Sequence, residues 1–397
     1  MPHPESMDIQ ELHGSVSGQP DFELGNRPRQ RPVTYSLSLP ARYSQKNPAK
    51  GLVFYIPGFG NDNNAEYVGK IRHFIAETYG LAAVSVDYHA IVARPEQGCP
   101  IIFDRQSLLT LHLLCAHFGI PFAMSNLAEI CASLGEKIQE PIVLKGILEP
   151  PHNEYQNFGV LQALDHLTVL NTLITEGVMF DQNNIILVGS SHGGYLAHLI
   201  SKFSPNTINA VLDNSSYTRA PWSHLGLLLE YSMSSGNLWI ECNLKSHWQF
   251  ENRNLPYYFG LPQQLIRETA FPPHLEVMKN QSGRLPRYYC FNSTQDSISP
   301  IHEKRAQQKR LQAIGCECDL HEINEKDIDG AMFKTMSHGM DASMKALCRM
   351  VLPQISPRPT TIDRFRNTIL EYDGFDQTYR IEHTDEAPWF HVSLSPV

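Results

Sequence analysis

The stretch "NIILVGSSHGGYLAHLISKF" (184–203) constrains this chain more than any other. An apolar run stops at a glycine, then come two serines, a histidine and two more glycines, and an amphipathic segment starts at once. Such a run reads as a strand buried on both faces, and the change of period after it as a helix. In a G-x-S-x-G elbow the glycines stand two residues either side of the nucleophile, because the strained turn leaves no room for side chains there. Gly189 and Gly193 flank Ser191 in this way, and Ser190 lacks the symmetry. Ser191 is therefore the candidate nucleophile, with the backbone N–H of His192 as an oxyanion donor. Taken alone, the same letters also describe a glycine-softened helix start with a solvated serine.

The rest of the chain supplies context. "VTYSLSLP" (33–40) alternates like a strand, and "GLVFYIPG" (51–58) and "LAAVSVDY" (81–88) read as buried strands. Between the last two, Val68, Ile71, Phe74 and Ile75 mark one helical stripe, so the three segments form a βαβ unit of a parallel sheet. A long apolar stripe at 155–176 gives a helix ended by Gly177. Strands are expected at 184–190, 209–216, 287–293 and 318–323, with helices at 193–203, 300–314 and 340–351. The expected fold is an α/β sheet flanked by helices. A polar segment, 1–32, precedes the main domain, 33–353, and a β-rich tail, 354–397, follows with a hairpin around Asp373–Gly374. Residues 89–152 (helical near 106–117 and 124–137) and 217–284 interrupt the rhythm and read as insertions forming a lid.

A serine needs a base and an acid that orients the base. In this type of sheet they follow in the order Ser, Asp or Glu, His. Asp296 follows the strand 287–293 and His338 lies in a loop before the last helix, so both fall in that order. Asp213, after the preceding strand, is the rival acid, and His89, His198 and His302 read as surface or packing residues. A second oxyanion donor is expected in "PGFGNDNN" (57–64), from the N–H of Phe59 first and Gly60 second. Trp222 and Trp248, in the second insertion, are candidates for a pocket that stacks on a sugar ring or holds an acyl chain.

Other chemistries find little support. The net charge is −9 and the densest basic segment, "EKRAQQKR" (303–310), reads as a solvated helix face, which argues against nucleic acid. No apolar run approaches the roughly 20 residues of a membrane span, and the polar start "MPHPESMDIQELHGSVSGQPDFE" is not expected to act as a signal peptide. The eight cysteines are scattered without a CxxC and no HExxH occurs, so a reducing cytoplasm is expected, with no metal and no cofactor. Self-association is compatible with the sequence.

From about 33 to 353 the chain resembles an α/β-hydrolase, and "GSSHGGY" is similar to the prolyl-oligopeptidase-like and esterase branches. It resembles more closely a group of bacterial proteins catalogued as a domain of unknown function and often encoded among genes for flagellin glycosylation and surface polysaccharide. "PPHNEYQNFGVLQALDH" (150–166), "KSHWQFENRNLPYYF" (245–259), the elbow and "VLDNSS" carry that likeness. It implies the hydrolase fold, a serine-hydrolase site on Ser191 and a role in modifying surface sugars. Within the first segment Glu154 can charge-stabilise a helix start and Tyr155 can face a pocket. The expected activity is that of a carboxylesterase or deacylase on an ester or acylated sugar. The alternatives are a peptidase and a non-catalytic accessory protein in glycosylation.

Overall fold

The apolar runs become the middle of one eight-stranded sheet. Its strands are β1 (Gln10–Val16), β2 (Val33–Leu39), β3 (Leu52–Ile56), β4 (Ala82–Asp87), β5 (Ile185–Ser190), β6 (Ala210–Asn214), β7 (Arg287–Ser293) and β8 (Cys318–Ile323). The spatial order is β1-β2-β4-β3-β5-β6-β7-β8. Strand β2 runs antiparallel to both its neighbours, and every other adjacent pair is parallel. The structure is a computed structural model that describes residues 9–61, 63, 65–281, 283–359, 368–384 and 390–396. Asp62 and Asn64 of the expected oxyanion loop, and the remaining parts of the tail, lie outside the described residues.

Parallel strands need crossovers, and helices supply them. These are α1 (Glu66–Tyr79) between β3 and β4, α2 (Val160–Thr175) before β5, and α3 (His192–Phe203) between β5 and β6. Helix α4 (Ile301–Ala313) joins β7 to β8, and α5 (Met344–Val351) follows β8. Val68, Ile71 and Ile75 of α1 and Leu347, Cys348 and Val351 of α5 form one core with Val53, Tyr55, Val188, Leu212 and Phe291 of the sheet. Helices α2 and α3 pack against each other, and α2 is buried along almost its whole length. Three of its buried polar side chains bond within the helix: Thr168 and Thr172 donate to the carbonyls of Leu164 and Thr168, and His166 Nδ1 pairs with Gln162 O at 2.8 Å.

Burial holds His166 neutral and pushes its pKa down to about 4 from 6.5, against weaker support for the charged form from the Gln162 carbonyl and Asp165. The unfolded chain therefore binds more protons between those values, so this contribution is intact above pH 6.5 and is lost as pH falls toward 4. The loss should amount to about 3 kcal/mol. Urea unfolding at pH 7.5 and at 4.5 should show a smaller acid loss in His166→Gln than in the wild type. Equal losses would refute the assignment. The comparison with the variant isolates His166 from His274 and His383, whose pKa values burial also lowers, and from His198, raised by Asp213 despite its burial.

Three features depart from the sequence-based expectation. Strand β1 lies in the segment read as merely polar; "QELHGSV" sits at the sheet edge with all seven residues half-buried or exposed, so no apolar run marks it. The insertions also carry strands. Val92–Phe158 and Pro221–His247 make a second compact unit, while 248–284 belongs with the rest of the chain. That unit holds helices Arg105–Phe118 and Leu127–Gly135, and a four-stranded sheet in the order Ile101–Phe103, Ile142–Leu148, Leu238–Leu244, Tyr231–Ser235. Its middle strands alternate buried and exposed residues, but Val143, Ile147 and Trp239 stand on the exposed positions, which blurs the pattern in the letters.

The tail hairpin is present. Strands β9 (Ile369–Asp373), β10 (Gln377–His383) and β11 (Phe390–Pro396) form an antiparallel sheet. It is tied into the first unit: Tyr372 Oη donates to Lys202 O, and Tyr379 Oη donates to Glu23 Oε1 at 2.5 Å. His383 Nε2 meets Phe203 O at 3.3 Å.

Candidate active site

The elbow is strained where a nucleophile would need it to be. Ser191 stands between β5 and α3 with φ 54° and ψ −116°, a region costly for a residue with a Cβ. Its N–H donates to Asn214 O at 2.7 Å and its carbonyl accepts from Tyr195 N at 3.0 Å, so the backbone is pinned on both sides. The glycines are required sterically. A Cβ on Gly189 would lie 2.3 Å from Gly193, and one on Gly193 would lie 1.9 Å from Ile56 O.

Three side chains then line up. Ser191 Oγ lies 2.7 Å from His338 Nε2, and His338 Nδ1 lies 2.8 Å from Asp296 Oδ2 and 3.1 Å from Oδ1. Asp296 is buried, and its Oδ1 also accepts from the N–H groups of Ile298 and Ser299 at 2.9 Å each. With the carboxylate accepting from Nδ1–H, Nε2 is left as an acceptor for the serine proton. The other serine is committed elsewhere: Ser190 Oγ accepts from Asn214 Nδ2 at 3.0 Å, and the same amide reaches Gly339 O at 3.2 Å. Asn214 thus ties the elbow to the loop that carries His338.

The rival acid has different partners. Asp213 is buried with Oδ2 bonded to Lys304 Nζ (2.7 Å), His198 Nε2 (3.0 Å) and Ser216 Oγ (2.7 Å). Burial alone would raise its pKa, but Lys304 and His198 outweigh that and hold the carboxyl well below its usual range. His198, Asp213 and Cys290 have the spacing of a metal site, yet the Lys304 ammonium already occupies the carboxylate, so this donor set suits an internal ion pair rather than a cation. His89 and His198 are buried and His302 is exposed.

The loop after β3 approaches the elbow. A Cβ on Gly58 would be 3.6 Å from Ser191 Cβ, and Gly58 and Phe59 line a cavity of about 540 Å³ that opens on Ser191 and His338. Tyr55, Tyr67, Lys70, Met344 and Lys345 also line it, but Gly60 does not. Asn63 anchors the loop. Its Oδ1 accepts from Arg72 Nη1 at 3.2 Å and from Ser85 Oγ, its Nδ2 donates to Ser36 Oγ at 3.1 Å, and its N–H reaches Asp87 Oδ1 at 3.3 Å. His192 opens α3, and its ring is a spacer rather than a base. Nε2 pairs with Gln162 Oε1 at 2.9 Å, and Phe59 stands edge-on to the ring at 5.6 Å.

Of the aromatic pocket candidates, Trp248 lies at a cavity other than the one that opens on Ser191. It is buried edge-on against Phe259 at 5.4 Å, beside the Arg267 guanidinium, and it borders a different cavity, near Glu23 and Gln263. Its indole is large enough to serve as packing for a buried cation. Tyr155 and Trp222 belong to the second unit, where Tyr155 is buried edge-on to His247 and Trp222 is 48% exposed. Besides Asn214, a second residue absent from the sequence-based set touches the elbow. Tyr217 Oη lies 3.1 Å from Ser191 Oγ, with its ring parallel to the His338 imidazole (planes 4° apart, centroids 5.8 Å). Its only signal in the letters is its place just after "VLDNSS" at the end of β6.

An eight-stranded sheet of this order, with only β2 antiparallel to its neighbours and a strained serine between β5 and the next helix, is the α/β-hydrolase fold. Residues 13–389 match the family described as Protein of unknown function (DUF2920), and the chain belongs to that family. No curated protein matches it. Among solved structures, Pyrococcus horikoshii acylaminoacyl peptidase is similar at 9% identity and TM-score 0.47, covering 89% of this chain and 43% of that one. A Mycobacterium tuberculosis puromycin-hydrolyzing peptidase is similar at 11% identity and TM-score 0.46, covering 89% and 42%. The propionate-bound esterase Est2 of Thermogutta terrifontis is similar at 13% identity and TM-score 0.46, covering 91% and 100%. The chain therefore spans less than half the length of either peptidase.

Proposed function

We propose that the protein is a serine hydrolase that cleaves carboxylic esters through an acyl-enzyme, with Ser191 as nucleophile, His338 as general base and acid, and Asp296 as the orienting carboxylate. The observation that carries this reading is the unbroken hydrogen-bonded line from Ser191 through His338 to Asp296 at a serine held at φ 54°. Ser191 Oγ attacks the acyl carbon as its proton passes to His338 Nε2, and the carbonyl π pair moves to oxygen. The backbone N–H groups of His192 and Phe59 are the donors assigned to that oxyanion. His338 then gives its proton to the departing alkoxide. Water repeats the sequence on the acyl-enzyme: it loses a proton to His338, and that proton returns to Ser191 Oγ as the acid leaves.

Acylated sugars head the substrate panel, in line with the resemblance to proteins encoded beside surface-glycan genes. Simple nitrophenyl esters and short peptides complete it. Faster turnover of acetylated sugars than of peptides supports the deacylase reading, and the reverse order replaces it with a peptidase. Asp296→Asn keeps the shape but lets the imidazole take the wrong tautomer, so kcat should fall by about 10⁴-fold. Asp213→Asn should instead lower stability by breaking the Lys304 pair. If Asp213→Asn proves to be the variant that kills kcat in a folded protein, the acid has been misassigned.

A further inference from the structure

We propose that Tyr217 is a catalytic residue of this site, whose phenol O–H donates to Ser191 Oγ and stabilises that oxygen as it leaves the acyl group; the proposal rests on the serine-hydrolase reading above. The direction of the bond follows from counting protons. His338 Nδ1 is turned to the Asp296 carboxylate, so Nε2 accepts, and the single proton of Ser191 goes there across 2.7 Å. The 3.1 Å contact between Ser191 Oγ and Tyr217 Oη must then be made with the tyrosine proton. Tyr217 is 5% exposed, and its ring lies parallel to His338 and packs on Tyr195 at 6.2 Å, so its hydroxyl is held in place on the nucleophile.

A donor on Oγ acts unequally through the cycle. At rest it already bonds the neutral hydroxyl, a good acceptor, so attack starts with the bond in place and gains little from it, whereas the ester oxygen of the acyl-enzyme is a poor acceptor and deacylation starts with the bond weak. In deacylation the C–Oγ bond breaks, its electron pair returns to Oγ, and the proton arrives from His338 Nε2. Charge builds on Oγ at that moment, and a hydrogen bond to it strengthens. Only an interaction stronger in the transition state than in the state before it speeds a step. The tyrosine keeps its own proton throughout.

The test uses the whole chain and two probes. Nitrophenyl acetate, followed from the first turnover, separates acylation (the burst) from deacylation (the steady rate), and a fluorophosphonate reports attack by Oγ without turnover. In Tyr217→Phe we expect deacylation to slow by about 10- to 100-fold, so that a burst of one nitrophenolate per chain stands out. Fluorophosphonate labelling should stay within about threefold of wild type, which also shows that the variant is folded. Tyr217→Leu, which loses ring and hydroxyl, should lower labelling as well, separating the stacking on His338 from the hydrogen bond. Unchanged deacylation in Tyr217→Phe overturns the assignment, and so does an equal loss of labelling and deacylation. A wild-type protein that neither takes the label nor hydrolyses the ester overturns the serine-hydrolase reading itself, and this assignment with it.

Discussion

Ser191→Ala is expected to abolish fluorophosphonate labelling and to lower ester hydrolysis by about 10⁴-fold or more, while Ser190→Ala leaves both labelling and the reaction class intact. The two serines are adjacent, equally small and both beside the cavity, so the contrast tests the geometry and not the composition. Ser191 alone has its Oγ on His338 Nε2, and it alone occupies the strained turn. Ser190 is held by Asn214, whose amide also reaches the His338 loop, so its loss should cost a modest fraction of kcat through looser placement of the base. Removing the nucleophile of a serine–histidine–aspartate unit costs about as much as removing the whole unit, because the three act together. His338→Gln should therefore resemble Ser191→Ala and not add to it in the double variant. Labelling of Ser191→Ala at the wild-type rate would place the reactive group elsewhere.

Glu23→Ala is expected to destabilise the chain by about 3–5 kcal/mol in urea unfolding, far more than an ordinary surface substitution. Arg267 is 1% exposed and grips Glu23 with two parallel bonds, Nη1 to Oε1 at 2.9 Å and Nη2 to Oε2 at 2.7 Å. A third donor reaches the carboxylate from Tyr379, and Nη1 also donates to Gln263 O at 2.9 Å. Burial by itself disfavours the charged guanidinium, but Glu23 more than offsets it and holds Arg267 above its ordinary pKa. Taking away the carboxylate leaves a positive charge stranded in the interior beneath Trp248 and Phe259. Replacing both partners with apolar residues, as in Glu23→Leu with Arg267→Met, should recover most of the loss, since a buried pair is often matched by good packing. A cost below about 1 kcal/mol for Glu23→Ala would show that water reaches the site.

The parallel strands were legible because both their faces are covered, which forces runs such as "LVFYI" and "IILVG" that nothing else in a globular chain requires. Edge positions impose no such demand, so β1 could be built from "QELHGSV" and leave no trace. The order of Ser191, Asp296 and His338 was legible too, but the choice between Asp213 and Asp296 was not, since each stands at or just past the end of a parallel strand. What separates them is direction. Leu212 faces the core beneath α1 and α5, so its neighbour Asp213 points to the opposite face, where His198 of α3 and Lys304 of α4 receive it. Asp296 lies beyond β7 in a turn whose N–H groups aim its carboxylate at the imidazole. Tyr217 was invisible for a simpler reason: a single tyrosine in a loop has no period, and only the fold brings its hydroxyl to the serine.

The helix that follows Ser191 ends against the tail. The carbonyls of Lys202 and Phe203, in the last turn of α3, are met by Tyr372 and His383, residues 170 and 180 positions further along the chain. The buried Nζ of Lys202 donates to the carbonyls of Ile266 and Glu268 (2.8 and 3.0 Å), also far downstream. On the ribosome, the elbow and its helix therefore emerge long before the groups that seal the helix's far end. Until then the carbonyls at that end and the Lys202 amine are left to water. Catalytic competence should appear late, as a step and not a ramp, once the tail sheet has closed on the helix.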